Sequence, residues 1–330
     1  MAVSIADVQK LRKLTGAGLA DCKKALDETG GDIEKAIEII RAKGQAIAAK
    51  RSDRETANGC VLVKVDNGFG AIIALKCETD FVANGKDYIQ LTQDILDAAV
   101  AAKAKSLDEV KALTLADGTK VEDAVVARSG ITGEKMELDG YSFIEGENIY
   151  TYNHMNKNLL CTMAQTNKPA AEEGHAVTMQ IAAMKPIALD EASVPQAVKD
   201  EELKVAIEKT KEEQVGKAVQ AALKKAGFNL YIAENEEHIA EGIAKGNITE
   251  AQADEIRRIK KEVAEEKAAA LPVEMVNNIA KGRMAKFFKE SCLLEQEFIQ
   301  DSKLSVAQYL KAADKDLTVV DFKRFTLRAE

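Results

Sequence analysis

Two stretches of this chain carry the same plan, and a plan used twice limits the fold more than any single motif. In the first, Val61, Val63 and Val65 alternate with polar neighbours, Asp66-Asn67-Gly68 supplies a turn, and residues 71–75 form a second apolar run. Period-two alternation beside an Asn-Gly turn predicts a β-hairpin. After Thr79-Asp80-Phe81-Val82-Ala83-Asn84-Gly85, the residues Tyr88, Leu91, Ile95 and Leu96 recur at helical spacing up to about Ala102. In the second stretch, residues 149–153 and 159–163 flank the turn Met155-Asn156-Lys157-Asn158, and Val177, Ile181 and Met184 mark a helix ending at Lys185-Pro186. Each hairpin is expected to bury one apolar face against its helix, which gives an α+β core with an internal duplication rather than a parallel α/β sheet. Between the repeats, residues 106–113 predict a helix, and Asp117-Gly118 and Asp139-Gly140 predict turns.

Ahead of the first hairpin three short helices are expected. Ser4, with Asp7 three residues on, signals a cap before apolar Ile5, Val8, Leu11 and Leu14. Thr15-Gly16-Ala17-Gly18 breaks that helix, and Leu19, Cys22 and Leu26 mark a second one ending at Gly30-Gly31. Asp32 caps a third carrying Ile33, Ala36, Ile37 and Ile40, which Gly44 is expected to close. Residues 45–58, with Lys50, Arg51 and Arg54 and little to bury, read as a linker. From Pro195 to Leu271 the composition turns to Ala, Glu, Lys and Gln. Val215, Val219 and Leu223 lie on one helix there, and Ile256, Ile259 and Val263 on another capped by Thr249 with Gln252. Gly227 and Gly246-Asn247 interrupt them, so an antiparallel helical excursion is expected. Beyond Pro272 come a helix through residues 284–288, a capped helix from Ser305, and the alternating Val320, Phe322, Phe325 and Leu327, which return the chain to the sheet. The expected domains are residues 1–45, a linker 46–58, core halves 59–146 and 147–194, a protrusion 195–271 and a C-terminal return 272–330.

With 46% hydrophobic and 30% charged residues, the 330-residue chain has the composition of a globular protein of roughly two domains. Its 54 acidic against 46 basic residues give a net charge of -8, the wrong sign for neutralising phosphates, so direct nucleic-acid binding is not expected. There is no run of 18 apolar residues, and Met1-Ala2-Val3-Ser4 begins neither a signal peptide nor an Arg-rich transit segment. No membrane association and a cytoplasmic location are expected. Cys22, Cys60, Cys77, Cys161 and Cys292 are dispersed without a C-x-x-C pair and read as buried reduced thiols.

No chemistry of catalysis stands out. Gly16-Ala17-Gly18 with Lys23 and Lys24 follows a helix rather than a strand, so it reads as an inter-helix turn, not a phosphate-binding loop. His154, His175 and His238 are too far apart in sequence to suggest a metal site, and no Gly-x-Ser-x-Gly nucleophile motif is present. The expectation is an interaction protein without cofactor or metal, not an enzyme.

Three segments are distinctive: Thr15-Gly16-Ala17-Gly18-Leu19-Ala20-Asp21-Cys22-Lys23-Lys24-Ala25-Leu26, Cys77-Glu78-Thr79-Asp80-Phe81-Val82-Ala83-Asn84, and Gly282-Arg283-Met284-Ala285-Lys286-Phe287. In this order, with Tyr152-Asn153-His154 and Leu294-Glu295-Gln296, the chain resembles the elongation factor Ts family over essentially its whole length. The resemblance implies an N-terminal three-helix fold like the ubiquitin-associated domain, a core of two related α+β halves, and a helical protrusion longer than in many relatives, through which self-association is left open. It also implies a translation elongation factor that binds elongation factor Tu with GDP, disturbs the partner's Mg2+ and phosphate site, and accelerates GDP release so that GTP can bind. It places Thr79, Asp80, Phe81 and Val82 at the partner's nucleotide-binding domain, with Phe81 as a wedge, and Lys23, His154 and Met284 at further contacts. From the residues alone, Asp80 either hydrogen-bonds a partner or holds its own loop. Lys23 reads as a solvated helix lysine, His154 as a hairpin side chain and Met284 as core packing.

Overall fold

In the computed structural model, which describes residues 3–328, Ser4 Oγ accepts from the Asp7 amide and starts α1 (Ile5–Thr15), and Gly16 ends it with φ 69°. Helices α2 (Leu19–Glu28) and α3 (Ile33–Lys50) follow, and the three enclose Leu11, Cys22, Ala25, Leu26 and Ala36. Ile5, Leu14 and Leu19, which belong to the apolar spacing that marks these helices, face outward. The chain continues through β1 (Asn58–Asp66), β2 (Phe69–Cys77), the four-residue α4 (Asp80–Ala83), α5 (Lys86–Ala102), α6 (Leu107–Ala112), α7 (Val121–Thr132) and β3 (Met136–Glu145). Gly44 does not close α3, which runs on to Lys50, so the first residues of the expected 46–58 linker are helical. A Cβ on Gly130 of α7 would lie 2.5 Å from the Gly44 Cα. Both glycines therefore serve the close crossing of α3 and α7.

The second repeat comprises β4 (Ile149–Asn153), β5 (Leu160–Thr166) and α8 (Ala171–Met184). Next come α9 (Gln196–Lys225), α10 (Glu236–Ala244), α11 (Glu250–Ala270) and α12 (Val273–Ser291), then β6 (Glu297–Phe298), β7 (Asp301–Ser305), α13 (Val306–Ala313) and β8 (Val319–Thr326). Contacts divide the chain into two units: Asp190–Cys292, and the residues before and after it. In the helical unit Leu223, Ala233, Ile239, Ala253 and Ile256 form a separate core, and Thr249 and Gln252 make a reciprocal cap at the start of α11. Helix α12 packs along α9, and Arg283 pairs with Glu213 at 2.6 Å. The C-terminal return expected from Pro272 thus begins only at Leu293, whose amide donates to Ala188 O at 2.8 Å.

The other unit is built on two antiparallel three-stranded sheets, β1-β2-β3 and β4-β5-β8. Each hairpin of the repeat gains a third strand from elsewhere. Cys60, Leu62, Phe69, Ala71, Ile73 and Leu75 face α5, while Val61, Val63, Ile72 and Ala74 face Cys161, Met163 and Phe325 of the second sheet. On that sheet's far side Ala164 and Val319 meet Val177 and Ile181 of α8. The expectation of one buried face per sheet is therefore corrected, because the other faces pack on each other. This explains why β2 reads as an unbroken apolar run.

Helix α7 carried no sequence signal that was recognised, and Asp139-Gly140 is not a turn but lies inside β3. There Ala74 pairs with Gly140 and Leu75 with Leu138, leaving Asp139 as a bulge. A Cβ on Gly140 would lie 2.5 Å from the Phe325 ring and 2.6 Å from Ala74 Cβ, so the glycine permits close approach.

Candidate functional site

The segment joining β2 to α5 is short and fastened from several sides. Thr79 is the N-cap of α4, its Oγ1 accepting from the Val82 amide at 3.4 Å. The Asp80 carbonyl accepts from the Asn84 amide at 3.0 Å and from Asn84 Nδ2 at 2.8 Å. Ala83 is buried, and Val82 packs half-buried against the core around Tyr88 and Leu91. Phe81, just before them, is left 87% exposed. The four residues Thr79, Asp80, Phe81 and Val82 therefore lie together, yet they divide: Asp80 and Phe81 face solvent, while Val82 anchors and Thr79 caps.

The base of this tip is polar and satisfied. Glu134, just past α7, accepts from the Thr79 amide at 3.1 Å and from its hydroxyl at 2.6 Å. Glu78 accepts from the Lys135 amide at 2.6 Å and from Arg51 at 2.8 and 2.9 Å. The Lys135 amide bond, and next Arg51, hold the Glu78 carboxyl below its ordinary range. Asn58 Nδ2 donates to the Glu78 carbonyl at 2.9 Å, and Cys77 Sγ to the Thr79 carbonyl at 3.2 Å. Burial raises the pKa of the Cys77 thiol, so it stays protonated at neutral pH. Burial likewise pushes Cys60 and Cys161 up to about 12, and all five cysteines are free and buried. Sequence reasoning missed Glu134 and Arg51. Nothing local marks either one, because each meets the tip only through tertiary contact.

His154 lies in the turn between β4 and β5, half-buried, with Nδ1 3.1 Å from the Tyr152 hydroxyl and its ring edge-on to Tyr152. Met155 beside it is exposed at φ 55°. This turn and the Phe81 tip sit at the same end of the two sheets. The Val61 amide donates to Asn158 O at 2.7 Å, near where β1 starts and β2 ends, with Asn58 opposite Cys77. At the opposite end the Gly146 amide donates to Gly68 O. Lys23 is exposed on α2, and Met284 is half-buried on α12 in the other unit.

The family described as Elongation factor TS matches residues 78–329, a span that begins at the base of this tip. The chain belongs to the elongation factor Ts family. It is 61% identical to the elongation factor Ts of Parabacteroides distasonis and 60% identical to that of Phocaeicola vulgatus, over the full length of both chains in each case. Identity is 35%, again over both full lengths, with the elongation factor Ts of Azobacteroides pseudotrichonymphae. Membership of the elongation factor Ts family makes the chain a translation elongation factor. Among the described residues no helix is long and apolar enough to cross a membrane.

Proposed function

We propose that this chain binds elongation factor Tu carrying GDP, loosens the partner's Mg2+ and phosphate site, and so accelerates GDP release and GTP entry. The observation that carries the reading is Phe81, a ring 87% exposed on a tip whose base is held by Glu134 and Glu78. Leaving such a ring in water forgoes about 1.5–3 kcal/mol of burial free energy, which an interface would recover. An aromatic ring delivers a large apolar area with few torsions to freeze, which suits it to wedging. A GTPase holds its Mg2+ in nearly ideal octahedral geometry, so a small displacement beside the ion weakens the hold on nucleotide.

In this reading Asp80 turns its carboxylate to the partner, since its loop is held through its carbonyl instead. Thr79 and Val82 brace the wedge, and Lys23, His154 and Met284 supply further contacts. If the factor lowers nucleotide affinity, nucleotide lowers factor affinity by the same coupling free energy. GDP and factor therefore compete without sharing a site, and abundant GTP expels the factor. The chain contributes no chemical step, cofactor or metal of its own, and it acts in the cytoplasm.

Stopped-flow release of a fluorescent GDP from elongation factor Tu tests the proposal. Release should accelerate with factor concentration, and a rate unchanged at saturating factor would overturn it.

A further inference from the structure

We infer that Glu134 is a positioning residue for the Phe81 tip, an inference that rests on the exchange reading above. Glu134 reaches Thr79 twice, through the amide at 3.1 Å and the hydroxyl at 2.6 Å. A hydroxyl has one proton and two lone pairs. Spending the proton on Glu134 turns a lone pair of Thr79 Oγ1 toward the Val82 amide, the bond that caps α4. Glu134 thereby sets the rotamer of the side chain that starts α4 and the direction in which Phe81, two residues on, leaves the fold.

Glu134 is itself fixed. The Ser129 hydroxyl donates to its carbonyl at 2.5 Å, and its own amide donates to Thr132 Oγ1 at 3.3 Å, both at the end of α7. The arrangement is also reciprocal: Glu134 takes the Thr79 amide while Glu78 takes the Lys135 amide. Two adjacent residues on each side thus exchange carboxylate-to-amide bonds across the gap. A wedge on a loose loop would pay ordering entropy at each encounter, and this clasp removes that cost in advance.

The test compares GDP release at sub-saturating factor for the full-length wild type, Glu134→Ala, Glu134→Gln, Thr79→Val, Phe81→Ala and the double variant Glu134→Ala/Phe81→Ala. Glu134→Ala should slow exchange about 10-fold, the scale of a lost charge-assisted hydrogen bond. Glu134→Gln should restore most of the rate, because its amide oxygen can accept from the Thr79 amide while its NH2 donates to Oγ1. The double variant should be no slower than Phe81→Ala alone, since a residue acting only by placing Phe81 has nothing left to place. A wild-type rate for Glu134→Ala, a Glu134→Gln as slow as Glu134→Ala, or slowing that multiplies in the double variant would each overturn the inference. Should Glu134→Ala fail to fold by thermal melting, Thr79→Val decides: slowing of about 5-fold supports the inference and a wild-type rate overturns it. A wild-type rate for Phe81→Ala would instead remove the wedge from the exchange reading, so the two failures are distinguishable.

Discussion

The two halves of the duplicated core leave the regular fold at different places. In the first half the hairpin turn is minimal, with Asn67 and Gly68 at φ 47° and 70°, and the departure comes after β2, where the Phe81 tip stands. In the second half the passage from β5 to α8 is tied down. Asn167 donates to Asp316 O and accepts from the Thr318 amide, and Lys168 pairs with Asp314 at 2.8 Å. There the departure is in the hairpin turn itself, where Met155, Asn156 and Asn158 have positive φ. Because a hairpin turn and a strand-to-helix passage lie at opposite ends of one strand, these departures would point apart if the halves ran side by side in register. The hairpins run opposite ways, with Ile149 of β4 beside Gly70 of β2, so both departures reach one end. The two similar units thus leave the regular fold at unlike connections, yet both irregular segments fall at one end of the sheets.

Substitutions at the two segments test whether they share the work equally. Under the exchange reading, Phe81→Ala should slow GDP release by roughly 30-fold, about 2 kcal/mol, since a fully presented aromatic anchor carries the most interface energy. Its melting temperature should stay near that of the wild type because the ring makes little native contact. His154→Ala should cost less, roughly 5-fold in the same assay or about 1 kcal/mol, because its ring is half spent on Tyr152 within the fold. An equal or larger loss at His154 would break the comparison and move the principal contact to the second half.

What the sequence disclosed divides along the same line as these contacts. The hairpins were legible because alternation and an Asn-Gly turn are local signals, whereas the four-residue helix that Thr79 caps is too short to show a period of its own. Gly44 and Gly140 were misread because an isolated glycine announces a helix end or a turn equally well when it marks a close approach. The chains that approach them come from Gly130 and from Phe325 near the far end of the sequence. Buried faces were half legible: β2 showed that it was apolar, but not that a second sheet lay across it. Glu134 was invisible for the same reason. Its partner Thr79 is 55 residues away, and a glutamate after a helix has no pattern of its own.

The smallest expected effect concerns Arg51, which ties the first half's tip to the end of α3 in the three-helix segment. Glu78 has a folded pKa below the ordinary carboxylate value of 4.5, chiefly through the Lys135 amide and then through Arg51. A carboxyl depressed on folding stabilises the fold above its unfolded value, and that contribution is lost as pH falls through the depressed one. Arg51→Met should therefore destabilise the protein by at most about 1 kcal/mol at pH 7, since Arg51 is more than a third exposed and solvent screens the pair. The deficit should shrink as the pH is lowered beneath about 4.5 and Glu78 is protonated in both proteins. Urea unfolding of the two proteins at pH 7 and at successively lower pH measures this directly. A deficit that persists unchanged in acid would mean that Arg51 acts through its packing on α3 rather than through Glu78. The Phe81 tip would then be held by its hydrogen bonds to Glu134, Lys135 and Asn58 without help from the ion pair.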